Sequence, residues 1–333
     1  MGDGDHRYDS CMRFLLVGNY GVGNLGDEAL KEYFLKRFPE IEWSVLSADP
    51  KIDELPRLPG GIRSFLRFDW LRTLKALRQS DGMVFGGGSL FTDQESVMAC
   101  ILWGIHACAA RVFHKPYFLA FQGIGPFRTS MGKWISHRVC AKAAFLSVRD
   151  EMSAERVAAW KMNKNSIQTF DPVFDLIEAK KSESSTQNIF ILIPRANSGS
   201  AYIETAKKII TERNFASIRI LLLQPKDPKE VRFAAKLPSI LPGQVTFSGA
   251  STLHDLVTAL SDASLVLTER YHGALAALAM AKETVIVRQG NDDKLSSLVR
   301  FFPPDAETLR RLHERVLSGE VALRNALQRS ALR

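Results

Sequence analysis

Residues 264–289, SLVLTERYHGALAALAMAKETVIVRQ, constrain the fold of this chain more than any other stretch. The short apolar run 265–267 is typical of a buried parallel strand. The small, helix-forming residues of 273–281 predict a helix that packs closely on a sheet, and the β-branched run 284–287 predicts the next strand. This order of elements predicts a βαβ unit.

Arg270, Tyr271 and His272 stand at the first turn of this predicted unit. In open α/β sheets ligands bind outside the carboxyl ends of the strands, and a helix N-terminus at that position favours anions. Arg270 and His272 would form a cationic pair suited to a phosphate or carboxylate. The structural alternative is that Arg270 pairs with an acid and His272 caps the helix, and the spacing alone does not decide between the two.

The same alternation of strand, turn and helix runs through the rest of the chain. Predicted strands are 12–18, 42–48, 81–88, 116–125, 145–148 and 167–171, followed by 189–194, 218–223 and 245–247. Between the two series, 178–188 is polar and poor in apolar residues, which is typical of a domain boundary. The predicted fold class is therefore α/β, with two Rossmann-like, doubly wound domains (12–177 and 188–302) facing a central cleft, and a C-terminal helix and tail (303–333).

A glycine-rich turn follows the first predicted strand, in the sequence GNYGVGNLGDEAL. Its glycines allow close approach of a ligand, while Asn19, Asn24 and Asp27 could bind sugar hydroxyls or, for the last two, cap the following helix. The turn contains a GxGxxG match, but neither Glu42 nor Asp49 follows a strand as a ribose-binding acid should. A dehydrogenase is therefore disfavoured.

Other polar residues and glycines stand at or near the ends of predicted strands. Gly87, Ser89 and Asp93 follow strand 81–88, Gln122 lies near the end of strand 116–125, and Arg149 follows strand 145–148. The three glycines 86–88 either admit a ligand against the backbone or mark a tight crossover. We expect these positions to share a rim with the first turn, because carboxyl ends of parallel strands meet at one edge.

The net charge of +8 favours an acidic partner: a phosphorylated small molecule, a nucleic acid or an anionic membrane. The basic residues are dispersed and form no recognised docking motif, so we expect no nucleic-acid partner. They are densest in residues 63–78, here called the basic segment, which either faces a membrane or acceptor or is a solvated helix face.

Several features bear on the compartment. No apolar run approaches bilayer-spanning length, and the first 13 residues lack the apolar core of a signal peptide. Four dispersed cysteines, without CxxC spacing, indicate neither a metal site nor a disulfide framework. The expectation is a cytoplasmic protein, or one peripheral at the inner face of a membrane.

Six motifs, in this order and at successive predicted strand ends, carry a family resemblance. They are GNYGVGNLGDEAL, GGGSLFTD, QGIGPF, SVRDEMSAERV, DPVFDL and LTERYHGALAALAMAKETVIV. The chain resembles the polysaccharide pyruvyl transferase family from Arg13 to about Phe302, and members of that family are similar to two-domain glycosyltransferases of the GT-B type. The resemblance implies transfer of pyruvate from phosphoenolpyruvate to two hydroxyls of a saccharide. The product is a ketal in an exopolysaccharide or cell-wall glycan, with phosphoenolpyruvate as co-substrate and no other cofactor.

This chemistry needs fixed cations, because the donor carries a phosphate and a carboxylate on one carbon. The predicted donor-binding residues are Arg149, Arg270, His272 and Lys294; the two arginines hold the anionic groups and His272 donates a proton or neutralises the departing phosphate. For the base that accepts the sugar proton, Asp27 is preferred to Asp93 and Glu269.

The predicted acceptor side is the N-terminal rim. Its residues are Asn19, Asn24, Asp27, Gly87, Ser89, Asp93 and Gln122. If the acceptor is lipid-linked, the basic segment would contact anionic lipid. The alternative function is a GT-B-type glycosyltransferase that uses a nucleotide-sugar donor, since the same cleft and cations would bind a diphosphate.

Overall fold

The computed structural model describes residues 12–163, 165–178, 188–290 and 294–332. The sequence also predicts a leader before the first strand and the start of a helix at Asp292–Asp293. Residues 1–11 and 292–293, and the predicted interdomain boundary at 179–187, lie outside the described residues. The domain limits drawn from the sequence therefore stay predictions.

The first domain is built on a seven-stranded parallel sheet in the order β3-β2-β1-β4-β5-β6-β7. Its strands are β1 Met12–Val17, β2 Ile41–Ser47, β3 Glu54–Pro56, β4 Gly82–Phe91, β5 Tyr117–Ile124, β6 Phe145–Val148 and β7 Ile167–Gln168. Its helices are α1 Leu25–Arg37, α2 Ile62–Phe65, α3 Leu71–Gln79, α4 Val97–Val112, α5 Ser130–Lys142, α6 Glu151–Ala159 and α7 Val173–Glu178. The central strands are buried along almost their whole length, as a sheet covered on both faces requires.

The second domain has a five-stranded parallel sheet in the order β10-β9-β8-β11-β12. Its strands are β8 Ile189–Ile193, β9 Ser217–Leu222, β10 Val245–Gly249, β11 Ala263–Thr268 and β12 Glu283–Ile286. Its helices are α8 Ser200–Glu212, α9 Pro228–Ala234, α10 Leu253–Ser261, α11 Tyr271–Ala279 and α12 Ser296–Val299, with a 3₁₀ turn at Leu237–Ser239, and α13 Ala306–Ala331 ends the described chain. The predicted α/β fold with two doubly wound, GT-B-like domains is confirmed.

One hydrophobic cluster joins the two domains. It contains Phe34 and Phe174 from the first domain together with Leu256 and Leu275 from the second. Helix α10 is capped by Thr252, whose hydroxyl accepts a hydrogen bond from the Asp255 N–H. Because apolar residues of both domains share one dry cluster, the relative position of the two sheets is fixed by packing.

Helix α13 crosses back from the second domain to the first. Its Glu320 carboxylate accepts hydrogen bonds from the Tyr33 hydroxyl at 2.9 Å and from Arg37 at 2.8 Å. Gly319 lies where a side chain would meet Thr169 and Phe121, so the helix approaches the first sheet closely. The C-terminal helix therefore packs against the first domain and forms a second connection between the halves.

Helices α1 and α11 both begin at the cleft between the sheets. Each follows a strand directly, β1 for the first and β11 for the second, so each has its N-terminus at a carboxyl edge. Helix α11 starts two residues earlier than its sequence predicts, which brings Tyr271 and His272 into its first turn. Among the helices of the described residues, none combines the length and apolar character needed to cross a bilayer.

Candidate active site

A cavity of about 310 Å³ lies in the cleft between the domains. Most of its wall comes from loops that follow β1, β8, β9 and β11 at their carboxyl ends, with Glu95 added from the loop after β4 and Lys294 from the loop after β12. The residues that line it are Asn19, Val22, Asn24, Leu25, Gly26, Glu95, Arg195, Leu223, Gln224, Glu269, Arg270, Tyr271, His272 and Lys294. The cavity is thus where the topology predicts a ligand.

Two helix N-termini border this cavity from opposite domains. Asn24 caps α1 by accepting a hydrogen bond from the Gly26 N–H at 3.1 Å, and Arg270 is the N-cap residue of α11. The first turn of each helix carries backbone N–H groups without intrahelical acceptors and the positive end of the helix dipole. The local backbone therefore favours an anion even before side-chain charges are counted.

Arg270 lines the cavity and is also paired with an acid. Its Nη2 donates to Glu230 at 2.5 Å and to Gln224 at 2.8 Å. The Glu230 side chain is almost completely enclosed. Both bonds use the same nitrogen, so the ion pair orients the guanidinium without using its other N–H groups. Both alternatives drawn from the sequence hold for Arg270: it pairs with an acid and it lines the cleft.

His272 is half-buried, and its Nε2 atom is enclosed without a hydrogen-bond partner among the described residues. Its ring lies against Gly26 at the start of α1, where an added Cβ would be 1.9 Å from Nδ1. Burial, with Arg149, Lys294 and Arg270 nearby, holds the pKa of His272 well below its ordinary value. The imidazole is therefore neutral at pH 7 in this structure.

Two more cations complete the cavity wall. Lys294 lies with its Nζ 5.4 Å from the centroid of the Tyr271 ring. Arg195, which the sequence analysis did not select, follows β8, and its backbone N–H donates to Ser198. The signal that could have found it is its position at a strand end, the same signal that selected Arg149.

Arg149 does not line the cavity, in contrast to the prediction that it contacts the donor. It is 1% exposed and donates to Asp171 at 2.5 Å and to the Ser89 hydroxyl at 2.9 Å. Its guanidinium carbon lies 4.4 Å from the centroid of the Tyr271 ring. Arg149 therefore supports Tyr271 across the domain interface, and its predicted direct contact with a donor stays a prediction that this burial disfavours.

The three carboxylates considered as bases lie in different environments. Asp93 accepts bonds from Arg128 and Thr129, and so fastens the loop before α5. Glu269 lines the cavity and accepts hydrogen bonds from Ser198 and Gln289. Asp27 is not among the residues that line the cavity, but its Oδ2 accepts a hydrogen bond at 3.1 Å from the amide of Asn19, which does line it.

Asp27 has the electrostatic character of a base. Burial raises its pKa to about 6, and the hydrogen bond from Asn19 and the charges of Lys294 and Arg149 only partly oppose this. Its Oδ1 accepts no hydrogen bond from a described residue. An ionised Asp27 at neutral pH therefore has one oxygen available for a proton.

Of the seven predicted acceptor residues, two line the cavity and five do not. Asn19 and Asn24 line the cavity. Gly87 packs where a Cβ would lie 2.8 Å from Leu30, so this glycine serves the contact between β4 and α1. Gln122 is buried and donates to the backbone carbonyls of Phe85 and Ala120, so its predicted orientation toward the rim is wrong.

Comparison with known proteins decides the family. The sequence model of the polysaccharide pyruvyl transferase family matches residues 24–291. The chain belongs to this family. The matched range includes every residue that lines the cavity except Asn19, Val22 and Lys294. No curated protein sequence matches the chain significantly.

Solved structures share the fold of this pyruvyl transferase family member at low sequence identity. Anabaena HepE in complex with UDP and glucose is 10% identical, with a TM-score of 0.61, and the match covers 95% of this chain and 99% of HepE. UDP-N-acetylglucosamine 2-epimerase from Rickettsia bellii is 12% identical, with a TM-score of 0.59 and coverage of 96% and 97%. These likenesses show the two-domain fold.

Proposed function

We propose that this member of the polysaccharide pyruvyl transferase family binds phosphoenolpyruvate in the cleft and transfers its pyruvyl group to two hydroxyls of a saccharide. The observation that supports this most is the convergence of Arg195, Arg270 and Lys294 with two helix N-termini on one cavity. Phosphoenolpyruvate is small and carries two anionic groups, so it matches this density of positive charge.

The cavity cations would hold the donor. Arg270, oriented by Glu230, offers its remaining N–H groups to the phosphate or carboxylate, and Arg195 and Lys294 neutralise the other oxygens. Charge-assisted hydrogen bonds of this kind contribute about 1.5 to 3 kcal/mol each. Arg149 would act through Tyr271, by keeping the start of α11 in position.

His272 would supply the proton. It is neutral in the unliganded protein because three cations and burial oppose its charge. A bound dianion reverses that balance, so the donor itself raises the pKa of His272 and loads the imidazole with a proton. The loaded imidazole protonates the vinyl methylene at C3, and positive charge develops at C2.

The two saccharide hydroxyls would then complete the ketal. One saccharide hydroxyl attacks C2 and gives its proton to Asp27. The second hydroxyl then attacks C2 and displaces phosphate, as the bond between C2 and the bridging phosphate oxygen breaks. The proton of the second hydroxyl leaves with the phosphate. We assign the base to Asp27 because its pKa of about 6 lies close to the working pH, whereas Glu269 already accepts two hydrogen bonds.

The acceptor belongs on the side of Asn19 and Asn24, whose amides suit sugar hydroxyls. A lipid-linked form of the saccharide is part of this proposal, because the basic segment leaves the sheet at the same edge as the loop that carries Asn19 and Asn24.

A glycosyltransferase with a nucleotide-sugar donor is the second candidate, since the solved relatives of this fold include complexes with UDP and UDP-sugars. Thermal shifts separate the two functions. Phosphoenolpyruvate should raise the melting temperature at concentrations well above its Kd, and UDP-sugars should not. Stabilisation by UDP-sugars alone would overturn the assignment of the donor.

A further inference from the structure

The basic segment combines exposed apolar side chains with unpaired cations. Ile62, just before it, is 79% exposed and Leu66 is 62% exposed, while Phe65, Phe68 and Leu71 are each about half exposed. Single exposed apolar side chains are common on protein surfaces. Five within ten residues, with the Phe65 and Phe68 rings 6.4 Å apart between centroids, are a local concentration of exposed apolar side chains that marks an interaction surface.

The basic segment also carries an excess of positive charge. Residues 63–78 contain five cations and one carboxylate, for a formal charge of +4. Those cations are Arg63, Arg67, Arg72, Lys75 and Arg78. Within the described part of the chain, none of the five forms an ion pair with a carboxylate. Their charge is therefore available to an anionic partner.

The apolar patch is ordered, although it is exposed. The Phe65 and Trp70 rings stack at 5.4 Å between centroids, and the Trp70 indole N–H donates to the Phe65 carbonyl at 2.9 Å. Beside this aromatic pair, Arg63 and Arg67 line an open depression of about 480 Å³ together with Gly61, Ile62 and Ser64. The apolar residues and a basic concavity thus form one preformed surface.

This surface lies at the cleft end of the first domain. Strand β3 is parallel to β1, so the segment leaves the sheet at the same edge as the glycine-rich loop that lines the cavity. The loop before the segment is pinned by the Leu58 N–H, which donates to His106 on α4, and by Arg57, which donates to the Tyr20 carbonyl at 2.6 Å. A partner bound to the segment would therefore lie near the acceptor side of the cleft.

We propose that Ile62 and the basic segment dock this protein on an anionic lipid bilayer. Phe65, Leu66 and Phe68 enter the membrane interface, and Arg63 and Arg67 contact lipid phosphates. Interfacial segments combine these two residue types, because apolar area supplies burial and cations attract anionic headgroups. A protein partner would account for the apolar residues but gives no reason for five unpaired cations. The inference rests on the proposed function only for its purpose, which is to present a lipid-linked acceptor.

Sedimentation of the full-length protein with vesicles tests the proposal. Wild type should sediment with vesicles of phosphatidylcholine and phosphatidylglycerol, much less with phosphatidylcholine alone, and should be released by added salt. Arg63→Gln/Arg67→Gln should weaken binding roughly 25-fold, at about fivefold for each cation. Phe65→Ser/Leu66→Ser should weaken it about tenfold or more.

The matched control is Arg111→Gln/Lys142→Gln, which removes the same charge from exposed positions at the far ends of α4 and α5. If this control lost as much vesicle binding as Arg63→Gln/Arg67→Gln, binding would depend on the net charge of the protein and not on the basic segment, which would overturn the proposal. So would a dimer in analytical ultracentrifugation that Phe65→Ser/Leu66→Ser converts to monomer, since a second copy would then occupy the surface. Each variant should also be titrated with phosphoenolpyruvate in the absence of lipid. Because the donor site lies outside the basic segment, unchanged donor affinity would show that a loss of vesicle binding does not come from the proposed active site.

Discussion

Replacement of Gly26 by alanine should separate catalysis from stability more sharply than any other single substitution. The new methyl group would lie 1.9 Å from both Cε1 and Nδ1 of His272, whereas ordinary carbon contacts are about 3.5 to 4.0 Å. The imidazole must therefore move by more than 1 Å, roughly the difference between these distances. Misplacement by about 1 Å costs on the order of 100-fold in rate.

The stability cost should be smaller than this loss suggests. Overpacking typically costs about 1 to 3 kcal/mol, but alanine is favoured over glycine inside a helix by up to about 1 kcal/mol, and Gly26 is the second residue of α1. We expect a net loss of about 0 to 2 kcal/mol in the free energy of unfolding. The protein should remain folded while its donor site is displaced.

The assay is isothermal titration with phosphoenolpyruvate, together with thermal unfolding. Gly26→Ala should bind the donor at least tenfold more weakly, and the matched control Gly199→Ala should behave as wild type. Gly199 precedes α8, has an ordinary φ of −93°, and has no atom within 4 Å of an added Cβ. Wild-type donor affinity and turnover in Gly26→Ala would refute the contact between His272 and α1 as a feature of the working site.

Four further predictions concern individual side chains. Calorimetric titrations in buffers of different ionisation enthalpy should show that the protein takes up a proton when it binds phosphoenolpyruvate. The affinity should fall by up to about tenfold per pH unit between the pKa of His272 in the unliganded protein and its higher pKa in the complex. His272→Asn should abolish this proton uptake. Asp27→Asn should abolish transfer yet raise the free energy of unfolding by about 2 to 3 kcal/mol above pH 6, because a pKa raised by burial means that the ionised carboxylate destabilises the fold. This gain in stability should vanish as pH falls below about 4, where Asp27 is protonated in the folded and the unfolded protein. An unchanged melting temperature above pH 6 would contradict this account. Arg195→Gln should weaken donor binding about tenfold or more with unfolding unchanged, whereas Arg149→Gln should cost about 3 to 5 kcal/mol of stability in denaturant unfolding, because it leaves Asp171 buried without its partner.

The architecture was predictable because buried parallel strands are short apolar runs. The strands around 265–267 and 145–148 lie where the sequence predicts them, and the residues after them reach the cleft or the domain interface. The sequence gives no sign of strand β3, because its three residues, Glu54–Pro56, contain no apolar run. No element was assigned to residues 97–112, where the structure has α4.

Partners distant in sequence set the limits of the site prediction. Arg149 pairs with Asp171, which follows a different strand and lies 22 residues away in the sequence. The same holds for Arg270 and Glu230, which lie 40 residues apart. Sequence proximity therefore reveals neither of these ion pairs.

Gln122 lies at a local irregularity of strand β5. The register between β5 and β6 shifts between Leu119 and Gln122, and Phe121 has a φ of 53°. A bulge turns the following side chain to the other face of the sheet. The Gln122 amide donates to backbone carbonyls inside the sheet, so a position near a strand end was not enough to place this side chain on the rim.

Mass spectrometry of a glycan panel incubated with the protein and phosphoenolpyruvate tests the central claim most directly. The account predicts that one acceptor gains the mass of a pyruvate ketal, with release of one phosphate for each ketal formed, and that His272→Asn gives none. Transfer of a sugar from a nucleotide-sugar donor in the same panel, with no ketal from phosphoenolpyruvate on any glycan, would contradict it.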